Sequence, residues 1–246
     1  MPRAFKLSLL LLAVAALLGF IGIRSNFFRL GPRGMALTER ELATEVLGQY
    51  LAQHYPGRKV LVLSNPFTQR KGQRKEIYQF EEAGLRGLRR GLGQRLVVEA
   101  VVFPELRPEV YQNPGSSYID PKTTTPLSYL MAEGALDAVW RQHLGAELFV
   151  SLIGLPLNVK QTEAWRNARG PKFALLLPDL RMVGDQKTVR DALEARKIAA
   201  IILKRPNAPA EDVPLGKDLQ KEFAERYFLV VPETAEPLLN QYPRLF

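Results

Sequence analysis

Six short apolar runs, Val60–Leu63, Leu96–Phe103, Leu148–Leu152, Phe173–Leu177, Ile198–Leu203 and Phe228–Val231, constrain this chain more than any other feature. They do not alternate apolar and polar residues, so each is suited to a strand covered on both faces rather than to one with a wet side. Between most of them lie segments with apolar residues at helical spacing. Gln73–Leu92 places Ile77, Phe80, Gly84, Leu88 and Leu92 on one stripe, and Pro126–Leu144, Gln186–Arg196 and Lys217–Tyr227 carry comparable stripes. Strand-helix alternation with right-handed crossovers predicts an α/β fold. The expected form is a three-layer, doubly wound, mainly parallel sheet of five or six strands in the flavodoxin-like order 2-1-3-4-5. Thr38-Glu39-Arg40-Glu41 matches a capping box and predicts a helix start at Thr38, with Pro56-Gly57 ending that helix.

The first residues read differently. Arg3 and Lys6 precede Leu7–Ile23, seventeen residues without a charge. That length reaches the lower end of a spanning helix, so an uncleaved transmembrane signal-anchor is expected. The flanking charges are nearly even, and the short tail before the first apolar segment is expected to stay inside. The expected place is therefore the cytoplasmic (inner) membrane, single-pass, with the bulk of the chain on the extracytoplasmic, periplasmic side. The boundaries that follow are a basic tail over 1–6, the anchor over 7–23, a juxtamembrane linker over 24–37, an α/β domain over 38–233 and a C-terminal tail over 234–246. The tail is apolar and proline-marked; it is expected either to offer a contact strip or to pack on its own domain.

Composition removes several chemistries. The chain has no cysteine, which excludes disulfides, thiolate metal sites and Cys nucleophiles, and it has only two histidines. His54 and His143 each sit where a helix is expected to end, a position that favours a cation near the last carbonyls. There is no G-x-G-x-x-G, no G-x-x-x-x-G-K-[ST] and no G-x-S-x-G. No cofactor, no metal and no catalytic residue is therefore assigned. Lys204-Arg205-Pro206 resembles the Lys-x-Pro region of phosphoacceptor receiver domains. Such a domain needs carboxylates where this chain has Ser64-Asn65 and Gly154, and without them no magnesium is held.

The rim beyond the carboxyl ends of the strands is where an open parallel sheet binds ligands. Its candidates are Asn65, Thr68, Gly154, Asp179 and Lys204. The net charge of +9 is concentrated: residues 58–95 hold ten basic residues against three acids. Arg70, Lys71, Arg74 and Lys75 cluster at a helix start and are candidates for docking an anionic partner, such as lipid headgroups, an acidic protein face or a cell-wall polymer. The stretch 104–125 is too long for an ordinary connection, and its Tyr111 and Tyr118 are candidate contact residues.

Phe80-Glu81-Glu82-Ala83-Gly84-Leu85-Arg86-Gly87-Leu88, then Leu96-Val97-Val98-Glu99, and Leu136-Asp137-Ala138-Val139 before Leu148–Leu152 form a pattern over residues 58–205. In it the chain resembles one lobe of the type I periplasmic solute-binding proteins. The resemblance implies the fold and an extracytoplasmic place. That family closes two lobes over a ligand, and this chain has length for one full lobe, which weakens the implied solute capture. The first expectation is thus a non-catalytic accessory, scaffold or partner-binding subunit of a membrane assembly. The alternatives are a solute-binding module of a transport system and an envelope hydrolase or transferase. A nucleic-acid partner ranks last, because the anchor and the lack of interleaved aromatics argue against it.

Overall fold

The computed structural model describes residues 32–113 and 117–245. The expected anchor over 7–23 lies outside the described residues. Among the described residues no helix is long and apolar enough to cross a membrane.

The helices are α1 (Pro32–His54), α2 (Lys75–Leu92), α3 (Pro108–Gln112), α4 (Ala135–Gln142), α5 (Glu163–Arg166), α6 (Gln186–Glu194), α7 (Leu219–Arg226) and α8 (Pro232–Gln241). The strands are β1 (Lys59–Leu63), β2 (Val97–Val102), β3 (Leu148–Ser151), β4 (Lys172–Leu176), β5 (Ile198–Lys204) and β6 (Tyr227–Val230). They form one six-stranded sheet in the order β2-β1-β3-β4-β5-β6. The first five are parallel, and β6 runs antiparallel at the edge against β5. The order reverses between β1 and β3, as expected of a doubly wound sheet.

Successive strand residues point to opposite faces, and both faces are covered. Val60, Val62, Val150, Ala174, Leu176 and Ile202 pack with Leu47 and Leu51 of α1 and Leu88 and Leu92 of α2. Leu61, Leu63, Phe149, Leu175 and Ile201 pack with Leu136 and Trp140 of α4, Leu193 of α6 and Leu239 of α8. The segment 234–246 thus begins within α8 and seats Leu239 in the core, with Tyr242 against the Phe228 ring at 4.9 Å.

Three local expectations are corrected. Helix α1 does not start at Thr38. It already runs from Pro32, so residues 32–37 are helix rather than linker, and Thr38 donates its hydroxyl back to the Gly34 carbonyl at 2.9 Å. A hydroxyl can bond the preceding turn inside a helix as well as cap its start, so the motif match was ambiguous. The helix expected over Pro126–Leu144 is broken: a single 3-10 turn over Pro126–Tyr129 is followed by α4, and between them Gly134 takes a left-handed φ of 75°. Phe80, expected on the buried stripe of α2, is 45% exposed.

Helices α1 and α2 are in backbone contact. Gly84, Gly87 and Gly91 of α2 face α1, and a Cβ on Gly87 would fall 2.1 Å from the Glu41 carbonyl oxygen. Helix α1 descends along the sheet with its first half at the carboxyl ends of the strands, where Arg40 Nη2 donates to the Leu152 carbonyl just past β3. Its last residue lies at their amino ends, where His54 shares a hollow with Leu148 and Lys172.

Candidate functional site

The rim at the β1/β3 switch point is occupied by the chain itself. Asn65 caps the 3-10 turn Pro66–Gln69 by accepting from the Phe67 N–H, and Thr68 donates its hydroxyl to the Asn65 carbonyl at 2.7 Å. Gly154, with φ of 83°, faces the end of the long connection. A Cβ there would fall 2.6 Å from Thr125 Cβ and 2.7 Å from Ser128 Oγ, both residues being buried. The connection is fixed at its base by Arg107 N–H to the Leu130 carbonyl and Ala132 N–H to the Glu105 carbonyl, and Leu106 and Val110 are fully buried. Residues 104–113 and 117–125 therefore form part of the domain surface. Tyr118 is 74% exposed, and Tyr111 carries the Arg70 guanidinium over its ring at 3.9 Å.

Asp179 and Asp120, far apart in the chain, are joined by Arg181. Its Nη2 lies 2.6 Å from Asp179 Oδ2 and its Nη1 lies 2.6 Å from Asp120 Oδ2. Burial opposes the Asp179 charge, but hydrogen bonds from Arg181 and Thr123 outweigh it and hold the carboxyl below the usual range. The backbone N–H of Lys122 and the Arg181 guanidinium hold Asp120 low as well. Two ionised acids on one guanidinium make a clamp between the long connection and the β4 loop. Neither holds a proton to give near neutral pH.

The densest polar cluster lies elsewhere, under α1. Glu81 of α2, buried, accepts from Ser64 Oγ at 2.8 Å, from the Asn65 N–H at 3.2 Å and from Arg40 Nη2 at 3.1 Å. Burial pushes the Arg40 guanidinium below its ordinary value, against the pull of Glu81. Its Nε has no hydrogen-bond partner among the described residues and faces Gly84, while its planar end lies 4.1 Å from the Phe80 ring centroid. Beside it the fully buried Arg226 meets Glu39 at 3.2 Å and also pairs with Glu222, and Tyr227 donates to Glu39. Burial, followed by the Glu39 charge, raises the Tyr227 phenol.

A cleft opens against this cluster at the carboxyl ends of β4 and β5. One hollow of about 120 Å³ is lined by Glu39, Arg40, Phe80, Leu177, Lys204, Glu211 and others. A second, of about 280 Å³, is lined by Leu37, Arg74, Gln79 and Phe80, and the two share Ala36 and Phe80 as a wall. Lys204 Nζ pairs with Glu211 at 2.8 Å. Leu177, at the turn out of β4, has a left-handed φ of 45°, which is uncommon for a side chain of this kind and is the sort of strain that clusters at binding sites. Of the rim candidates, Lys204 lines this cleft. Glu81, Arg226, Tyr227 and Phe80 complete its surroundings and were not among the candidates.

Larger hollows of about 480 and 530 Å³ lie away from the carboxyl rim. The first sits at the amino ends of β3 and β4 and is rimmed by the Arg58–Glu147 pair, and the second is rimmed by Arg141 and Glu163 at 2.7 Å. Ligands in open α/β sheets bind at the opposite end from the first, so volume alone does not rank them above the cleft. His54 and His143 stand at their helix ends. His54 Nδ1 is 2.8 Å from the Tyr50 carbonyl oxygen, and His143 Nδ1 is 3.1 Å from Glu99 Oε1. No group of acids and histidines that would hold a metal exists among the described residues.

Lys197, next to the amino end of β5, is the amine most shifted. Burial and then the nearby Lys172 push it down to about 8, although its Nζ donates to the Ala164 and Asn167 carbonyls. A lysine lowered in the folded state makes the unfolded chain bind more protons between about pH 8 and 10.5, so stability rises with pH there. Urea unfolding between pH 8 and 9.5 is expected to show the midpoint rising, and Lys197→Met is expected to flatten that slope. A midpoint that falls in wild type over this window contradicts it.

No family model matches the chain, and no curated relative matches it. Solved structures do match its layout. A protein from Mycobacterium smegmatis matches at 12% identity and TM-score 0.45, covering 84% of this chain and 63% of that one. AraP, an arabinose binding protein from Geobacillus stearothermophilus, matches at 14% and 0.44, with 81% and 63% covered. The sugar-binding protein of a sugar ABC transporter from Bacillus halodurans matches at 11% and 0.44, with 81% and 64% covered. The chain thus spans under two thirds of each of these proteins. The resemblance to one lobe of the periplasmic solute-binding proteins, carried in the sequence by residues 58–205, is met again among these structures. Against this finding, the expectation of a non-catalytic accessory or scaffold subunit is corrected, and its alternative, the ligand-binding module, is carried forward. A likeness of this grade describes the arrangement of strands and helices; what the chain takes up has to be argued from its own cleft.

Proposed function

We propose that this chain is a ligand-binding module that takes a small, neutral, hydroxyl-rich solute, such as a sugar, into the cleft between α1 and the carboxyl ends of β4 and β5. It acts outside the cytoplasmic membrane, tethered by residues 7–23 and placed to serve a transport protein in that membrane. The observation that carries this reading is the lining of the cleft. Phe80 offers an exposed aromatic face, Lys204 and Glu211 offer a donor and an acceptor already paired, and Arg40 and Glu39 are held in place by partners beneath. Arg40, Arg74 and Lys204 are matched in number by Glu39, Glu76 and Glu211, so the cleft selects no net charge. Ala36, Ala43, Leu176 and Leu177 supply apolar wall between these polar groups, and such a mixture of apolar lining with placed polar groups is the usual make-up of a solute site.

A thermal-shift panel of pentoses, hexoses, polyols and amino acids tests this. A cognate neutral solute at about a hundred times its Kd is expected to raise Tm by about 5–10 °C. Phe80→Ala, on an exposed side chain, is expected to cost the free protein no more than about 1 kcal/mol while weakening that solute about tenfold. Absence of any stabilising solute across the panel overturns the reading, as does a hit that Phe80→Ala leaves untouched.

A further inference from the structure

Arg70, Lys71, Arg74 and Lys75 are all exposed, and none has an acidic partner within ion-pair distance among the described residues. Of the rest of the basic window, Arg89 and Arg95, at and just beyond the far end of α2, are likewise exposed and without an ion pair among the described residues, and the other four are paired. Arg58, Lys59, Arg86 and Arg90 are paired with Glu147, Glu99, Glu41 and Glu45. The cations left unmatched in the turn before α2 are therefore a localised patch. Arg74 lines one hollow together with Ala36 and Leu37, so the patch stands beside the start of α1. Tyr111, under the Arg70 guanidinium, and Tyr118 belong to the connection that leaves β2 at the same end of the sheet.

The chain reaches that end from the apolar run. Only the eight residues 24–31 separate Ile23 from Pro32, a reach of at most about 28 Å when fully extended. The end of the domain closest to the bilayer is then the one that carries the patch. From this juxtaposition we infer that the carboxyl end of the sheet rests on the membrane surface, with Arg70, Lys71, Arg74 and Lys75 on anionic phospholipid headgroups and Tyr111 and Tyr118 at the interfacial level. Cations adjoining exposed tyrosines match that boundary, where aromatic rings sit and basic residues are attracted to anionic lipid. Tethering keeps the patch at high effective concentration over the lipid, so four salt-screened charges suffice. The solute cleft shares Ala36 and Phe80 with this end and would open toward the membrane.

The inference rests on the tether, and the test separates the two. The chain lacks cysteine, so a single environment-sensitive fluorophore can be placed at Gln69→Cys, beside the patch, or at Gln94→Cys, at the opposite end of the sheet. Each labelled full-length chain is put into nanodiscs of phosphatidylcholine, or of phosphatidylcholine with phosphatidylglycerol, carrying headgroup quenchers. Co-purification with the disc reports the tether. Docking is expected to quench the position-69 label in anionic discs only. The quenching should be lost when salt rises from about 0.1 M to 1 M, where the screening length falls to roughly 3 Å. It should also be lost in the variant with all four cations changed to Gln, while the position-94 label stays unquenched throughout. Equal quenching in neutral and anionic discs, persistence in the four-Gln variant, or preferential quenching at position 94 each overturns the inference. Because the salt titration uses the native cations, it decides the matter even if the four-Gln variant folds poorly.

Discussion

Glu81→Leu is expected to lower the unfolding free energy by about 3–5 kcal/mol, because it leaves the Arg40 guanidinium buried without its counter-charge. The two side chains are only 8% and 6% exposed. The same carboxylate also accepts from Ser64 Oγ and the Asn65 N–H, so its loss orphans one more buried donor and a part-buried one. The double variant Arg40→Met/Glu81→Leu is expected to recover most of that loss, since an apolar pair of similar volume needs no desolvation. Urea unfolding with an unchanged m-value measures both. A single variant costing under about 1 kcal/mol would mean that water reaches the pair and that the cleft floor is wet.

The second large effect concerns the glycines that let α1 and α2 touch. An exposed helical Gly→Ala change ordinarily stabilises by about 1 kcal/mol. At Gly87 the new Cβ would lie 2.1 Å from the Glu41 carbonyl oxygen and 2.2 Å from Thr44 Oγ1. At Gly91 it would lie 2.1 Å from the Glu45 carbonyl oxygen. Backbone cannot step aside as a side-chain tip can, so the helices must separate. Each substitution is expected to destabilise by about 1–3 kcal/mol or more, reversing the usual sign. Gly145→Ala, whose Cβ would meet nothing closer than 3.6 Å, is the control and is expected to stay within about 0.5 kcal/mol of wild type. Stabilisation by Gly87→Ala would show that α1 and α2 are not in backbone contact in solution.

The sheet was readable in the sequence because burial on both faces writes itself as unbroken apolar runs. Val60–Leu63 and Ile198–Leu203 fall within a residue of β1 and β5. The edge strand β6 was readable for the same reason, whereas Glu99 interrupts the run of β2, which is nowhere fully buried and leaves Val97 62% exposed. Helix α6 also fits its expected range, with Asp185 accepting from the Thr188 N–H at its start. Motif matching failed where one residue type serves two geometries: Thr38 bonds backward within a helix instead of opening one. The helix expected over Pro126–Leu144 failed at Gly134, because periodicity does not show where a backbone turns left-handed.

The cleft was nearly invisible for a different reason. Its parts come from α1, α2, β4, β5 and β6, and pairs such as Glu39 with Arg226 are 187 residues apart in the chain. Such pairings follow from topology, which spacing along one segment does not reveal. Of the three glycines that face α1, only Gly84 lies on the buried stripe read from the sequence; Gly87 and Gly91 are not singled out by it.

The account turns on where a solute settles. Hydrogen exchange with mass-spectrometric readout, on the full chain with and without the best stabilising solute of the panel, tests that most directly. The predicted result is slowed exchange in peptides spanning 36–43, 76–84 and 176–180, and in the turn after β5 through Glu211, with little change around Thr125–Ser128 and Gly154. Slowing confined to Thr125–Ser128 and Gly154, or to the amino-end hollow around Tyr55 and Lys172, would contradict it.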